Sequence, residues 1–267
     1  MSLGNHVRLS RLFSHPSGRL FGAAVDHFVG YGNVRQGGLS NLPVALERVV
    51  AASPDSVTMQ PGTARHLWAR HAGKAALIIQ GGCFTPDDRI QQLVATPEDA
   101  VRMGADALAV AIPLGGDSEG TYIKWLFDSV RDAHRFGMPV VAHIYPRDFS
   151  DGPKIVFTPD SIAYAVRIGI ETGVDVIKVG YPGDIEAFRE TVASCPAPVV
   201  IAGGPKAETL ADALAYTADA IAAGAVGAVV GRNLWGHGDP TVAGAAFKGV
   251  IHDGLDASAA LSAAGAA

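Results

Sequence analysis

Short apolar runs rich in Val, Ile, Leu and Ala alternate along the chain with longer Ala-rich stretches that suit helices. Parallel strands buried on both faces read as continuous apolar runs, and each needs a crossover helix before the next, so this alternation predicts repeated βα units. Eight such runs stand out, at residues 20–25, 56–59, 75–79, 107–112, 140–144, 175–179, 198–202 and 225–230. Eight strands joined by single helices is the count at which a parallel sheet closes on itself. The predicted fold is therefore α/β, a (β/α)8 TIM barrel. An open doubly wound sheet is the competing architecture. It is disfavoured because no G-x-G-x-x-G follows the first strand and the unusual polar residues are spread over many strand ends.

The punctuation agrees. Gly104-Ala105-Asp106, Gly137-Met138-Pro139, Gly173-Val174-Asp175 and Gly224-Ala225-Val226 each fall where a helix should close before the next strand. Glycine there supplies a left-handed cap. No shift in composition marks a second domain, so residues 1–267 are expected to form one barrel domain. Residues 1–19 are read as an N-terminal extension, and the Ala-rich tail at 255–267 as a short terminal helix without catalytic content.

Composition narrows the classes. The chain of 267 residues is 48% hydrophobic and 18% charged, which supplies a large core and excludes disorder. Its net charge is −5 and no Lys/Arg run is present, so nucleic acid is not an expected partner. Cys83 and Cys195 are the only cysteines and form no C-x-x-C pair, which suits small buried residues in a reducing compartment. The N-terminal segment lacks the unbroken apolar stretch of a signal peptide, and no later run is long enough to span a bilayer. A cytoplasmic protein with no membrane partner is expected.

In such a barrel the chemistry gathers at the C-terminal ends of the strands. Those ends carry Asp26-His27, Gln60, Gln80-Gly81-Gly82, His143 with Tyr145, Lys178, Gly203-Gly204 and Gly231-Arg232. Polar groups at one end of apolar strands are costly unless they serve a site. Lys178 lies inside Val174-Asp175-Val176-Ile177-Lys178-Val179-Gly180. An ordinary lysine has a pKa of about 10.4 and is a poor nucleophile at neutral pH. Burial, or a second cation nearby, favours the neutral amine that attacks a carbonyl. The alternative is a rim lysine paired with a carboxylate such as Asp184.

Tyr145 lies two residues beyond His143, so both side chains point the same way beside Lys178, and its phenol is a candidate general acid and base. Asp26, ending the first strand, would orient substrate hydroxyls or assist proton transfer; a turn aspartate is the alternative. His27 is read as structural or substrate-contacting. No H-E-x-x-H and no second ligand at suitable spacing surround it, so neither metal nor cofactor is expected. Two glycine-containing loops, Gly203-Gly204-Pro205-Lys206 and Gly231-Arg232, follow the seventh and eighth runs. Barrels place phosphate there, on bare backbone N–H groups, with Arg232 adding a charge-assisted contact. Lys206 is expected to contribute positive charge near the phosphate and to help depress the pKa of Lys178.

The segment D-V-I-K-V-G-Y-P-G-D, preceded by H-I-Y-P-R-D and followed by C-P-A-P-V-V-I-A-G-G-P-K and V-V-G-R-N, resembles the class I aldolases of the archaeal-type fructose-bisphosphate aldolase family. That family also holds 2-amino-3,7-dideoxy-D-threo-hept-6-ulosonate synthases and autoinducer-2 phosphate thiolases. The resemblance implies that Lys178 forms a Schiff base, with Tyr145 as proton donor and Asp26 assisting. Gly203, Gly204, Gly231 and Arg232 would hold the phosphate, with His27, His143, Arg147 and Lys206 completing the substrate-binding set. It implies a ketose 1-phosphate such as fructose 1,6-bisphosphate as substrate, with the synthase and thiolase reactions as alternatives. Outside the enzymes, the alternative is a phosphosugar-binding sensor barrel, against which the intact Lys178 and Tyr145 argue. It also implies a ring-forming homo-oligomer, commonly a decamer. The chain departs from the family pattern at Asp26-His27-Phe28 and the V-G-Y-G-N-V-R-Q-G-G-L that follows, at Val179 where Thr is usual, and at Gly82-Cys83-Phe84. The departing loops are expected to touch the distal half of the substrate.

Overall fold

The computed structural model describes residues 2–27, 38–83, 92–150, 152 and 154–265. The barrel strands are β1 (Leu20–Ala24), β2 (Ser56–Met59), β3 (Ala76–Gln80), β4 (Ala107–Leu114), β5 (Val140–Asp148), β6 (Val176–Val179), β7 (Val199–Ala202) and β8 (Gly227–Val230). Each pairs in parallel with the next, and β8 pairs with β1 through Leu20↔Gly227 and Ala23↔Val230, so the predicted barrel closes. The helices are α1 (Leu3–Leu12), α2 (Leu42–Ala51), α3 (Pro61–Leu67), α4 (Pro97–Arg102), α5 (Glu119–His134) and α6 (Pro159–Thr172). They continue with α7 (Ile185–Ala193), α8 (Leu210–Ala222), α9 (Arg232–Trp235), α10 (Pro240–Ile251) and α11 (Ala257–Ala263). Reciprocal capping boxes start α4 and α8, where Thr96 and Thr209 each bond an aspartate three residues on. Gly104, Gly137, Gly173 and Gly224 have φ of +71°, +57°, +75° and +109°, as their predicted role as helix stops requires.

Side chains alternate across each strand, and the two sets do different work. Phe21, Val57, Met59, Leu77, Ile79, Ile177 and Ile201 pack outward against the helices. Leu20, Ala24, Ala76, Ile78, Val141, Val176, Val200 and Val229 fill the barrel interior. Continuing the inward set toward the C-terminal ends, Thr58, Gln80, His143 and Lys178 are polar yet buried. The packed barrel thus gives way to a polar chamber at its mouth.

The opposite end is tied by aspartates. Asp55, Asp106 and Asp175 directly precede β2, β4 and β6, and accept the backbone N–H groups of Phe21, Leu77 and Val140 at 2.7, 3.2 and 2.8 Å. Each thereby satisfies a donor on the neighbouring strand, which gives the recurring Gly-x-Asp a physical reason. Asp106 also accepts from Arg11 and Asp175 from Asn5, so α1 is pinned under the barrel, with Leu12 buried in the interior cluster.

Two strands run further than their apolar runs predict, β4 to Leu114 and β5 to Asp148. Pro113 and Leu114 pair in parallel with Tyr145 and Pro146, and beyond them Arg147 and Asp148 pair antiparallel with Ile155 and Lys154. That ribbon carries Arg147 to the mouth. Of the segments expected to contact the distal half of the substrate, residues 28–37 and Phe84 lie outside the described residues. No helix among the described residues is long and apolar enough to cross a membrane.

Candidate active site

The ends of β1, β3, β5, β6, β7 and β8 line one cavity of 270 Å³ at the C-terminal mouth. It collects Asp26 and His27 after β1, Gln80 ending β3, His143, Tyr145 and Arg147 on β5, and Lys178 on β6. Gly203, Gly204 and Pro205 after β7 and Gly231 and Arg232 after β8 complete the lining, with Ala24, Ile155, Phe157, Ala202 and Val229. Of the site residues expected from sequence, all but Lys206 line it.

Lys178 sits where an inward β6 position meets His143 on β5 and Val200 on β7 as register partners. It is 5% exposed. Burial lowers its pKa to about 8 although the Asp26 carboxylate opposes the shift. At pH 7 such an amine is neutral in about one molecule in ten, against about one in three thousand for an ordinary lysine. Asp184 does not pair with it: that carboxylate caps α7 by accepting from Ala187 N at 3.0 Å. Lys206 is exposed, its stem beside Gly236, and burial rather than Lys206 depresses the Lys178 pKa. The expected help from Lys206 is thus corrected: burial shifts this amine, Asp26 opposes the shift, and Lys206 is not among the groups that act on it.

Asp26 accepts from Gln80 Nε2 at 2.9 Å and faces His27 Nδ1 at 3.4 Å. Burial drives the His27 pKa down to about 4 against the pull of Asp26, with Lys178 and Arg232 adding to the fall, so the ring is neutral at pH 7. Its edge meets the Trp235 ring at 5.4 Å, while the Trp235 indole donates to Ala24 O at 2.9 Å. Gly231 must lack a side chain here, since a Cβ would lie 2.3 Å from His27 Cε1. Burial, and then the Asp26 charge, raise the pKa of Tyr145, which keeps its phenol protonated; the Arg147 guanidinium stands 5.8 Å from its ring centre.

The rate of imine formation at Lys178 is expected to rise with pH through about 8. In Asp26→Asn that midpoint should move lower, because the carboxylate stabilises the ammonium form and its removal favours the free amine. Rapid-quench trapping across pH checks the sign; an upward move would contradict the assigned electrostatics.

The glycine loops are held open by a residue that the sequence pattern did not single out. Asn233 Nδ2 donates to Gly203 O at 2.7 Å and Pro205 O at 2.9 Å, while its Oδ1 accepts from Ala207 N at 2.8 Å. Arg232 Nη2 donates to Gly204 O at 3.0 Å, and Gly204 has φ +72°. The signal was only an Asn directly after Arg232 at a strand end. Among the described residues, no group of three or more His, Cys, Asp or Glu side chains could hold a metal ion.

Residues 21–237 match the DeoC/LacD family of aldolases. The chain belongs to that family. It is 36% identical to the 2-amino-3,7-dideoxy-D-threo-hept-6-ulosonate synthase of Halobacterium salinarum, over 98% of this chain and 97% of that protein. It is 32% identical to a 2-amino-4,5-dihydroxy-6-oxo-7-(phosphonooxy)heptanoate synthase of Streptomyces griseus, over 98% of this chain and 95% of that one. Among solved structures it resembles an archaeal fructose-1,6-bisphosphate aldolase whose catalytic Lys is covalently bound to the carbinolamine intermediate of its substrate. The TM-score is 0.83 at 30% identity, covering 93% of this chain and 99% of that one. This aldolase is of class I, the Schiff-base kind, on the TIM barrel expected from its sequence.

Proposed function

We propose that Lys178 forms the Schiff base and that the substrate is a ketose phosphorylated on the carbon next to its carbonyl. The observation that carries this is a buried lysine with a pKa of about 8 that lines one small cavity together with the glycine loops and Arg232. The neutral amine adds to the carbonyl carbon, the resulting carbinolamine loses water, and the iminium becomes an electron sink. Deprotonation of the hydroxyl on the second carbon beyond it then breaks the carbon–carbon bond and leaves an enamine. Tyr145, kept protonated, supplies and recovers protons, and Asp26 orients the hydroxyl and shares that transfer. Gly203, Gly204, Gly231 and Arg232 hold the phosphate, with His27, His143 and Arg147 against the sugar.

Borohydride reduction with substrate present is expected to add one substrate-derived mass to a peptide containing Lys178. A mass on Lys206, or on no lysine, would refute the assignment. Arg232→Ala is expected to raise KM for a phosphorylated ketose by about 10- to 100-fold, as a charge-assisted contact contributes roughly 1.5–3 kcal/mol. Equal use of phosphorylated and unphosphorylated ketoses by the wild type would remove the phosphate from this wall.

The two curated relatives favour a second reading within the same chemistry, a transaldolase-like synthase that hands the enamine to another aldehyde. Release of glyceraldehyde 3-phosphate, measured with and without an acceptor aldehyde, separates transfer from simple cleavage. Assembly as a homo-oligomer in the cytoplasm belongs to the same proposal and rests on the family resemblance.

A further inference from the structure

The cavity wall beside Lys178 contains a hydrogen-bond chain whose direction is set at one end. The backbone N–H of Gly82 can only donate, and it meets Gln80 Oε1 at 3.0 Å. That contact makes Oε1 the carbonyl end of the amide, so both amide hydrogens are on Gln80 Nε2. One meets Asp26 Oδ2 at 2.9 Å, and the other faces His143 Nδ1 at 3.3 Å. An amide nitrogen accepts nothing, so His143 Nδ1 must be the acceptor and the ring proton resides on Nε2. Nε2 is buried and has no hydrogen-bond partner among the described residues. A buried donor in this condition, in a cavity wall, calls for an acceptor from outside the protein, a water or the bound substrate. His143 and Lys178 are register partners on adjacent strands and line the same cavity.

We propose that Gln80 is a positioning residue that sets His143 as a neutral Nε2–H donor, and that this donor meets the oxygen of the carbonyl that Lys178 attacks. The target of the donor rests on the Schiff-base reading of Lys178. As the amine adds, the C–N bond forms and the carbonyl π pair moves onto oxygen. The N–H of His143 stabilises the growing charge there. The proton released from the attacking nitrogen passes through Tyr145 to that oxygen and completes the carbinolamine hydroxyl; a second proton, drawn from solvent through Tyr145, lets that hydroxyl leave as water as the C–O bond breaks and the nitrogen lone pair forms the iminium. The imidazole gives up no proton: burial, with Lys178 and His27 nearby, holds its pKa well below the usual histidine range, so it stays neutral throughout. The same amide orients Asp26 through its other hydrogen, so one side chain aligns two groups of the site.

The tautomer is readable without any turnover, by ¹⁵N NMR of histidine-labelled protein, with the His143 signals identified by their loss in His143→Gln. From about pH 6 to about pH 8 the ring is expected to show a protonated Nε2 and an unprotonated Nδ1. A protonated Nδ1 in that range overturns the proposal. Gln80→Met, similar in length and unable to donate, is expected to let the two neutral forms mix. In single-turnover borohydride trapping, His143→Phe should slow imine formation by about 100-fold, the usual effect of removing one such donor. His143→Gln places an amide N–H near the lost one and is expected to recover at least tenfold of this, with the effect in rate rather than in half-saturating substrate concentration. Wild-type trapping rates in His143→Phe would remove the donor's role. Failure of the wild type to be trapped would instead defeat the Lys178 reading, and with it the carbonyl target, while the NMR spectrum decides the tautomer by itself.

Discussion

Lys178→Arg is expected to lose at least about 10⁴-fold in turnover, as enzymes do when a covalent nucleophile is removed. A guanidinium stays charged and forms no imine, so retention of charge and length does not rescue the reaction. Lys178→Met should be equally inactive and informative about stability. The folded pKa of about 8 lies below the unfolded value of 10.5, so burying this amine opposes folding at every pH below the unfolded pKa. At pH 7 the opposition amounts to about 3 kcal/mol; it fades as pH rises from about 8 through 10.5, above which both states are neutral. Methionine fills similar space without that cost, so Lys178→Met should melt higher than the wild type at pH 7 and lose this advantage at high pH. Substantial turnover by Lys178→Arg would end the Schiff-base assignment. A lower melting temperature for Lys178→Met would show that the amine is not desolvated as described.

Gly227→Ala is expected to be the most damaging single methyl group in the barrel frame. Gly227 opens β8 with φ +151°, and a Cβ there would lie 2.2 Å from Leu20 O and 2.8 Å from Leu20 N. Both atoms belong to the backbone of β1, which has no rotamer with which to retreat. Leu20 and Gly227 are also register partners in the seam where the last strand meets the first. The methyl group must therefore open the seam or shift β1, for a loss of about 3 kcal/mol or more and a fall in Tm of roughly 10 °C. Gly120→Ala is the matched control. Gly120 lies in α5 with nothing within 4 Å of its would-be Cβ, and alanine there should be neutral or stabilising by up to about 1 kcal/mol. A Gly227→Ala protein that melts with the wild type would contradict the seam geometry.

Much of the barrel is legible in the amino-acid sequence. Strands buried on both faces must be apolar throughout, so their positions show directly, and a lysine inside such a run stands out because so little else explains it. The helix stops are legible for a similarly local reason: a left-handed cap nearly demands glycine, and the four expected glycines all adopt positive φ. Asp26, Tyr145 and Lys178 are readable as polar ends of apolar strands, and closure of the barrel places all three on one cavity.

What stays hidden depends on contacts between distant parts of the chain. β5 extends through Tyr145-Pro146-Arg147-Asp148 because Pro113 and Leu114 of β4 pair with its first two residues and Ile155 and Lys154 return to pair with the last two, and that polar segment carries no apolar signal. Lys206 is exposed and does not line the cavity, although its place in sequence beside the glycines suggests the opposite. Gln80 is visible as a strand end, yet its partners Asp26 and His143 lie 54 and 63 residues away along the chain. By itself the sequence determined where strands, helix stops and a lysine inside an apolar strand must lie, since burial and backbone conformation act residue by residue. Only the tertiary structure decided which of the polar strand ends bond one another, in which direction, and how far water is kept from Lys178, because hydrogen-bond direction and desolvation exist only once eight strands have closed around the same space.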